Sequence, residues 1–213
     1  MILKYKKIKK YGSSEYYLSE DKKFFIKTNS SKKEYQNLKK YWNKIKIKNL
    51  RFIEPVEFSE KEKILITKYE NAPSLINISN PKIYYKFGKK LKEFHNSGFS
   101  HSHLQFNDVL YKKEEFILTD LGNLNEKDNI IDLVKLKLSL NLFRLKKPWL
   151  WKRYTVCFKS FIKGYNFKEK DKMNKEYEKW INNRIDNLLK KNSFLSKIKG
   201  YILKINKKMG LLK

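Results

Sequence analysis

The groups best suited to chemistry crowd into one stretch of the chain. It holds the three histidines, His95, His101 and His103, then Asn107-Asp108, and soon afterwards Leu118-Thr119-Asp120-Leu121-Gly122. A neutral imidazole is a competent proton acceptor near pH 7. A carboxylate is a hard oxygen ligand for a divalent cation. Far upstream, Lys27 stands seven residues before Glu34. Each residue also has an ordinary reading. His95 and His101 suit a core or loop, and Asp-Leu-Gly after a strand is often a plain turn. Lys27 is one lysine among many, and Glu34 completes a helix-capping box with Ser31. Order and spacing carry more weight than any one of them.

The surrounding pattern supplies elements to hold these groups. Tyr16-Tyr17-Leu18 and Lys23-Phe24-Phe25-Ile26-Lys27 predict a hairpin turning at Ser19-Glu20-Asp21-Lys22. Ser31-Lys32-Lys33-Glu34 opens a helical run through Leu38, Tyr41 and Trp42. Strands follow at Phe52–Phe58 and Ile64–Tyr69, with a polar break at Glu70-Asn71-Ala72-Pro73-Ser74. Asn80 and Pro81 start a helix whose apolar face is Tyr84, Phe87, Leu91 and Phe94, ending at Gly98. Val109-Leu110-Tyr111 and Phe116-Ile117-Leu118-Thr119 form a second hairpin, and everything after Leu121 reads as helix. The expectation is an α+β fold of two lobes, a small β-rich one (1–70) and a minimal α-helical one (71–189), with a cleft between them. A basic amphipathic segment (190–213) follows.

With those residues in place, the stretch from Leu91 to Tyr111 resembles the catalytic-loop region of protein-kinase-like phosphotransferases: a helix ending in His and Gly, then His-x-Asp, four residues, Asn, and a strand. Asp120-Leu121-Gly122 resembles the metal-binding Asp-Phe-Gly motif. Lys27 and Glu34 resemble the strand lysine and helix glutamate that hold ATP phosphates. Glu70 and Ala72 sit where the nucleotide-contacting hinge falls, and Asp132 resembles the aspartate that braces the catalytic loop. The compact layout, without a long activation segment, is most similar to the bacterial lipopolysaccharide-core heptose and Kdo kinases. The aromatic run from Trp149 to Tyr165 adds to that likeness. The resemblance implies ATP and Mg²⁺ as cofactors, and a saccharide of a membrane glycolipid as phosphate acceptor.

The chain departs from the pattern at the centre of the chemistry. His103 occupies the position of the base aspartate, and Asp108 that of the metal-binding asparagine. Tyr11-Gly12-Ser13-Ser14-Glu15 offers one glycine where a phosphate loop has two or three. Asp108 suits Mg²⁺ as an anionic oxygen ligand, with Asp120 as its companion, and His103 as neutral imidazole can accept a hydroxyl proton. Three readings stay open, the first two being a kinase with an altered loop and a pseudokinase that binds nucleotide or a partner without turnover. A basic surface binder with no nucleotide role is the third.

Composition limits the remaining choices. The chain has 213 residues with 15% aromatics, enough for a packed core. Cys157 is its only cysteine, which excludes an intrachain disulfide or a cysteine zinc site and suits a reducing compartment. Its opening residues do not read as a signal peptide, and it holds no apolar run long enough to span a bilayer. The expected location is the cytoplasm, at the inner face of a membrane. The net charge of +28 comes from lysine in all but four of fifty basic residues. Base readers favour arginine, so nucleic acid is the unlikely partner; the lysine excess fits an anionic membrane surface or a phosphorylated ligand, and equally the codon bias of an AT-rich genome. From Asn187 to Lys213 there is no acidic residue, and Phe194, Ile198, Tyr201 and Ile205 recur at helical steps beside lysines.

Overall fold

The computed structural model describes residues 4–11, 13–124 and 129–208. Gly12 lies outside them, as do the side chains of Phe194 and Ile198. The chain folds as an α+β molecule with a β-rich first part and a helical second part, as its pattern predicts.

Strands β1 (Tyr5–Tyr11), β2 (Ser14–Ser19) and β3 (Phe24–Lys27) form an antiparallel meander. The order β1-β2-β3-β6-β5 completes a five-stranded sheet with β5 (Pro55–Ser59) and β6 (Ile64–Lys68). Sequence patterning misses β1 because its alternation is written in lysine. That composition suits an edge strand, whose open side must not recruit other chains.

Helix α1 (Lys32–Tyr41) runs between β3 and β4 (Leu50–Phe52). The Ser31 hydroxyl accepts from the Glu34 amide, but the expected capping box is only half made, because the Glu34 carboxylate turns to Lys27 instead. The single strand expected over Phe52–Phe58 is two. Strand β4 pairs in parallel with β8 (Glu115–Leu118), which pairs antiparallel with β7 (Val109–Lys112), so a separate three-stranded sheet forms. After Glu54, Pro55 opens β5 at the position where a missing N–H is tolerated.

The helical part is built on α2 (Pro81–Asn96), capped by the Asn80 side chain accepting from the Lys82 amide. Its predicted stripe of Tyr84, Phe87, Leu91 and Phe94 is wholly buried. Helices α3 (Asn129–Lys146), α4 (Trp151–Tyr165), α5 (Lys170–Leu189) and α6 (Phe194–Lys208) follow. Phe87, Phe106, Phe116 and Phe161 meet in one aromatic cluster that joins α2, the loop before β7, β8 and α4. The Tyr84 and Tyr154 hydroxyls donate to the carbonyls of Leu75 and Ile76, so both helices are tied to the segment entering the second lobe.

Helices α2 and α4 cross at van der Waals distance through two glycines. A Cβ on Gly88 would lie 2.2 Å from the Phe161 carbonyl oxygen, and one on Gly164 would lie 2.1 Å from that of Tyr85. Hydrogen against backbone is the only fit.

Candidate active site

Lys27 is the last residue of β3, and Glu34 lies in the first turn of α1, so a short connection brings them face to face. The Lys27 Nζ donates to Glu34 Oε1 at 3.0 Å and Oε2 at 2.9 Å, and to Asp120 Oδ1 at 2.9 Å. Asp120 is 93 residues away in sequence. Burial works against the Lys27 charge, but the two carboxylates outweigh it and raise its pKa. Burial raises Glu34, whereas for Asp120 the Lys27 charge overcomes the burial penalty and lowers the carboxyl. The Glu34 side chain is 6% exposed and that of Asp120 is 49% exposed, so Asp120 is the carboxylate open to a ligand.

Asp120 holds a left-handed backbone, φ 62°, at the start of a short 3-10 turn over Leu121–Asn123. The Asn37 side chain of α1 donates to the Leu121 carbonyl at 2.8 Å, and Gly122 lies beside the Glu34 Cβ. Helix α1 therefore docks directly on the turn that carries Asp120.

The loop from His101 to Asp108 is held from beneath. The buried Asp132 carboxylate of α3 accepts from the His101 amide at 2.7 Å, the Leu104 amide at 3.3 Å and His95 Nε2 at 3.1 Å. His95 Nδ1 then accepts from the Tyr165 hydroxyl at 2.6 Å. His101 Nε2 donates to the Thr119 carbonyl at 2.8 Å, fastening the loop to the end of β8. Its other ring nitrogen, Nδ1, is buried without a hydrogen-bond partner. Asp108 closes a one-turn 3-10 helix: its carboxylate accepts from the Gln105 amide at 3.0 Å, and its own amide donates to the Gln105 carbonyl at 2.9 Å. Burial pushes the Asp108 carboxyl up to about 7, opposed by His101 and helped by the charge of Asp120.

A cavity of about 800 Å³ lies between the lobes, within the usual range for small-molecule sites. Lys27, Glu34, Glu70, Ala72, Asp108 and Asp120 all line it. The Glu70 carboxylate is held by Arg51 at 2.7 Å and Lys112 at 2.9 Å, and Arg51 also reaches Glu115 at 2.8 Å. In the same segment the Ala72 amide donates to the Glu70 carbonyl at 2.9 Å. His103 is half-buried and is not among the lining residues. Burial and the charge of Lys135 lower its pKa, opposed by Asp120.

Six of the seven candidate site residues, Lys27, Glu34, Glu70, Ala72, Asp108 and Asp120, therefore line one cavity; His103 does not line it, though the charge of Asp120 reaches it. Sequence reasoning missed Arg51, Lys112 and Tyr165. Arg51 and Lys112 are generic basic residues whose partner lies far along the chain, and Tyr165 lay inside an aromatic run with no sign of a histidine partner.

No protein-family model and no curated protein sequence matches this chain. Solved structures do. The chain is similar to the aminoglycoside phosphotransferase APH(3'')-Id from Streptomyces rimosus, with a TM-score of 0.60 at 9% identity over 81% of this chain and 90% of that one. It is also similar to WaaP in complex with acyl carrier protein, with a TM-score of 0.50 at 14% identity over 83% of this chain and 89% of that one. At such identities the likeness is one of fold, and that fold is protein-kinase-like.

Proposed function

We propose that this kinase-like chain is an ATP-dependent phosphotransferase whose acceptor is a saccharide of a membrane glycolipid, met at the inner face of the membrane. The observation that carries the nucleotide half is the meeting of Lys27, Glu34 and Asp120 across 93 residues of sequence. A partly buried lysine with a raised pKa stays cationic at neutral pH and suits phosphate oxygens. Two carboxylates in one cavity, one of them half-exposed, fit Mg²⁺, which is commonly held by one or two carboxylates together with phosphates. Asp120 and Asp108 would hold the ion, whose chemistry when bound is to offset charge on the phosphates. The Glu70 carbonyl and Ala72 amide form an acceptor–donor pair suited to the edge of an adenine, which would exchange their mutual bond for two of its own.

The acceptor half rests on the resemblance to the heptose and Kdo kinases and on the basic charge. Nucleotide binding without turnover is the second reading, and it is favoured by His103, which stands in place of the base aspartate and does not line the cavity. Calorimetric titration with ATP and Mg²⁺ tests the first step. Binding that needs Mg²⁺ and is abolished in a folded Asp120→Asn variant supports the nucleotide site, whereas equal binding by that variant overturns it. Phosphate transfer to a deacylated glycolipid core then separates the kinase from the pseudokinase.

A further inference from the structure

We infer that α6 is a membrane-contacting element: an exposed stripe on this helix docks the protein on an anionic lipid bilayer. Ordinarily a terminal helix turns its apolar side to the core and its lysines to water. This one has two apolar sides. Leu203 is buried at 6% exposure, and Gly200 fits against the Leu188 and Leu189 side chains of α5. Lys207 pins the same side by its contacts with Asn182 and Glu178 of α5. Tyr201, Ile202 and Ile205 face away, at 57%, 49% and 55% exposure.

At 100° per residue these three occupy about 100° of the helix circumference, roughly opposite the buried side. Lys197, Lys204 and Lys208 border the stripe on one flank and Lys199 on the other, all exposed. No acidic residue occurs from Asn187 onward. An apolar strip bordered by exposed lysines on both flanks is the pattern of a helix lying in a lipid headgroup layer.

Charge selects among possible occupants. A second copy would oppose lysines to lysines. Nucleic acid would satisfy the lysines but leave three apolar side chains against phosphate. An anionic bilayer meets both, with headgroups for the ammonium groups and acyl chains for the stripe. This inference rests on the proposed function only for the acceptor's location, and its test reads no nucleotide chemistry.

The test is sedimentation of the 213-residue chain with vesicles of phosphatidylcholine alone or with a third of phosphatidylglycerol. Two triple variants are compared, Tyr201→Ser/Ile202→Ser/Ile205→Ser and Lys197→Gln/Lys204→Gln/Lys208→Gln. All substituted residues are exposed, and unchanged melting confirms the fold. The expected result is binding to the anionic vesicles and little to neutral ones. The lysine variant should weaken it about fivefold per lysine at low salt. The apolar variant should lose the part that high salt leaves behind. Equal binding to neutral vesicles, or variants that bind as the parent does, overturns the inference. So does a parent dimer that the apolar variant renders monomeric, since a second copy would then cover the stripe.

Discussion

His103 is the residue on which the choice between enzyme and pseudoenzyme turns. Its pKa is lowered by burial and by Lys135, whose ammonium lies 3.5 Å over the Trp180 ring. A lowered imidazole pKa keeps the ring neutral through the whole physiological range. If His103 accepts the acceptor's proton, turnover should climb with pH below about 6.5, the ordinary histidine value, and be flat by neutrality. His103→Ala should then cost about 10²-fold or more in kcat with the KM for ATP unchanged, and His103→Asp should keep or raise turnover. Measured kcat–pH profiles of the three proteins decide it. A profile without that limb, with kcat indifferent to His103→Ala, returns His103 to a structural place in the loop. The triad of Lys27, Glu34 and Asp120 was legible because its spacing survives intact. That His103 would not line the cavity was not, since motif spacing fixes a position along the backbone and says little about where a side chain stands.

Among elements, the crossing of α2 and α4 is the most exacting. In an exposed helix, Gly→Ala gains about 1 kcal/mol through propensity. At Gly164 a methyl group would meet the Tyr85 backbone at 2.1 Å, and backbone cannot rotate aside as a side chain can. Gly164→Ala should therefore destabilise by about 1–3 kcal/mol, the usual cost of overpacking, despite its better propensity. A fall of roughly 2–4 °C in Tm per kcal/mol would register it in a thermal melt. A Tm equal to or above the parent's would mean that the helices can part at little cost. Neither glycine announced itself. Gly88 interrupts a run whose apolar stripe was plain, and Gly164 lay inside an aromatic run. A glycine needed for close approach looks like any other until its neighbour is known. The strand count failed for a related reason: β4 and β5 are consecutive in sequence but pair in different sheets, and no local pattern marks the partner strand. Helices with one buried stripe, such as α2, were legible almost residue by residue.

At the scale of the whole molecule the charge dominates. A net +28 on 213 residues puts like charges close together over the surface, and self-repulsion favours any state that spreads them apart. Opposing this are ion pairs such as Lys32–Glu60, Lys86–Glu114 and Lys68–Glu54, most of them exposed. Exposed pairs contribute about 0–1 kcal/mol each and are screened by the same salt that screens the repulsion. Fifty basic groups face twenty-two acidic ones, so one-to-one pairing would still leave an excess of 28 positive charges. Repulsion should win. At low ionic strength, where the Debye length is about 30 Å, repulsive terms reach across most of the molecule; near 1 M salt it is about 3 Å and only contact pairs persist. Adding sodium chloride should therefore raise the Tm, with most of the gain at the low end of the range. The Lys27–Glu34 pair, with Glu34 buried, is less screened than the surface pairs and should persist throughout, whereas the half-exposed Asp120 contact weakens with salt. A Tm that falls as salt rises would show the surface pairs outweighing the excess, and would mean that the lysines are arranged to support the fold itself.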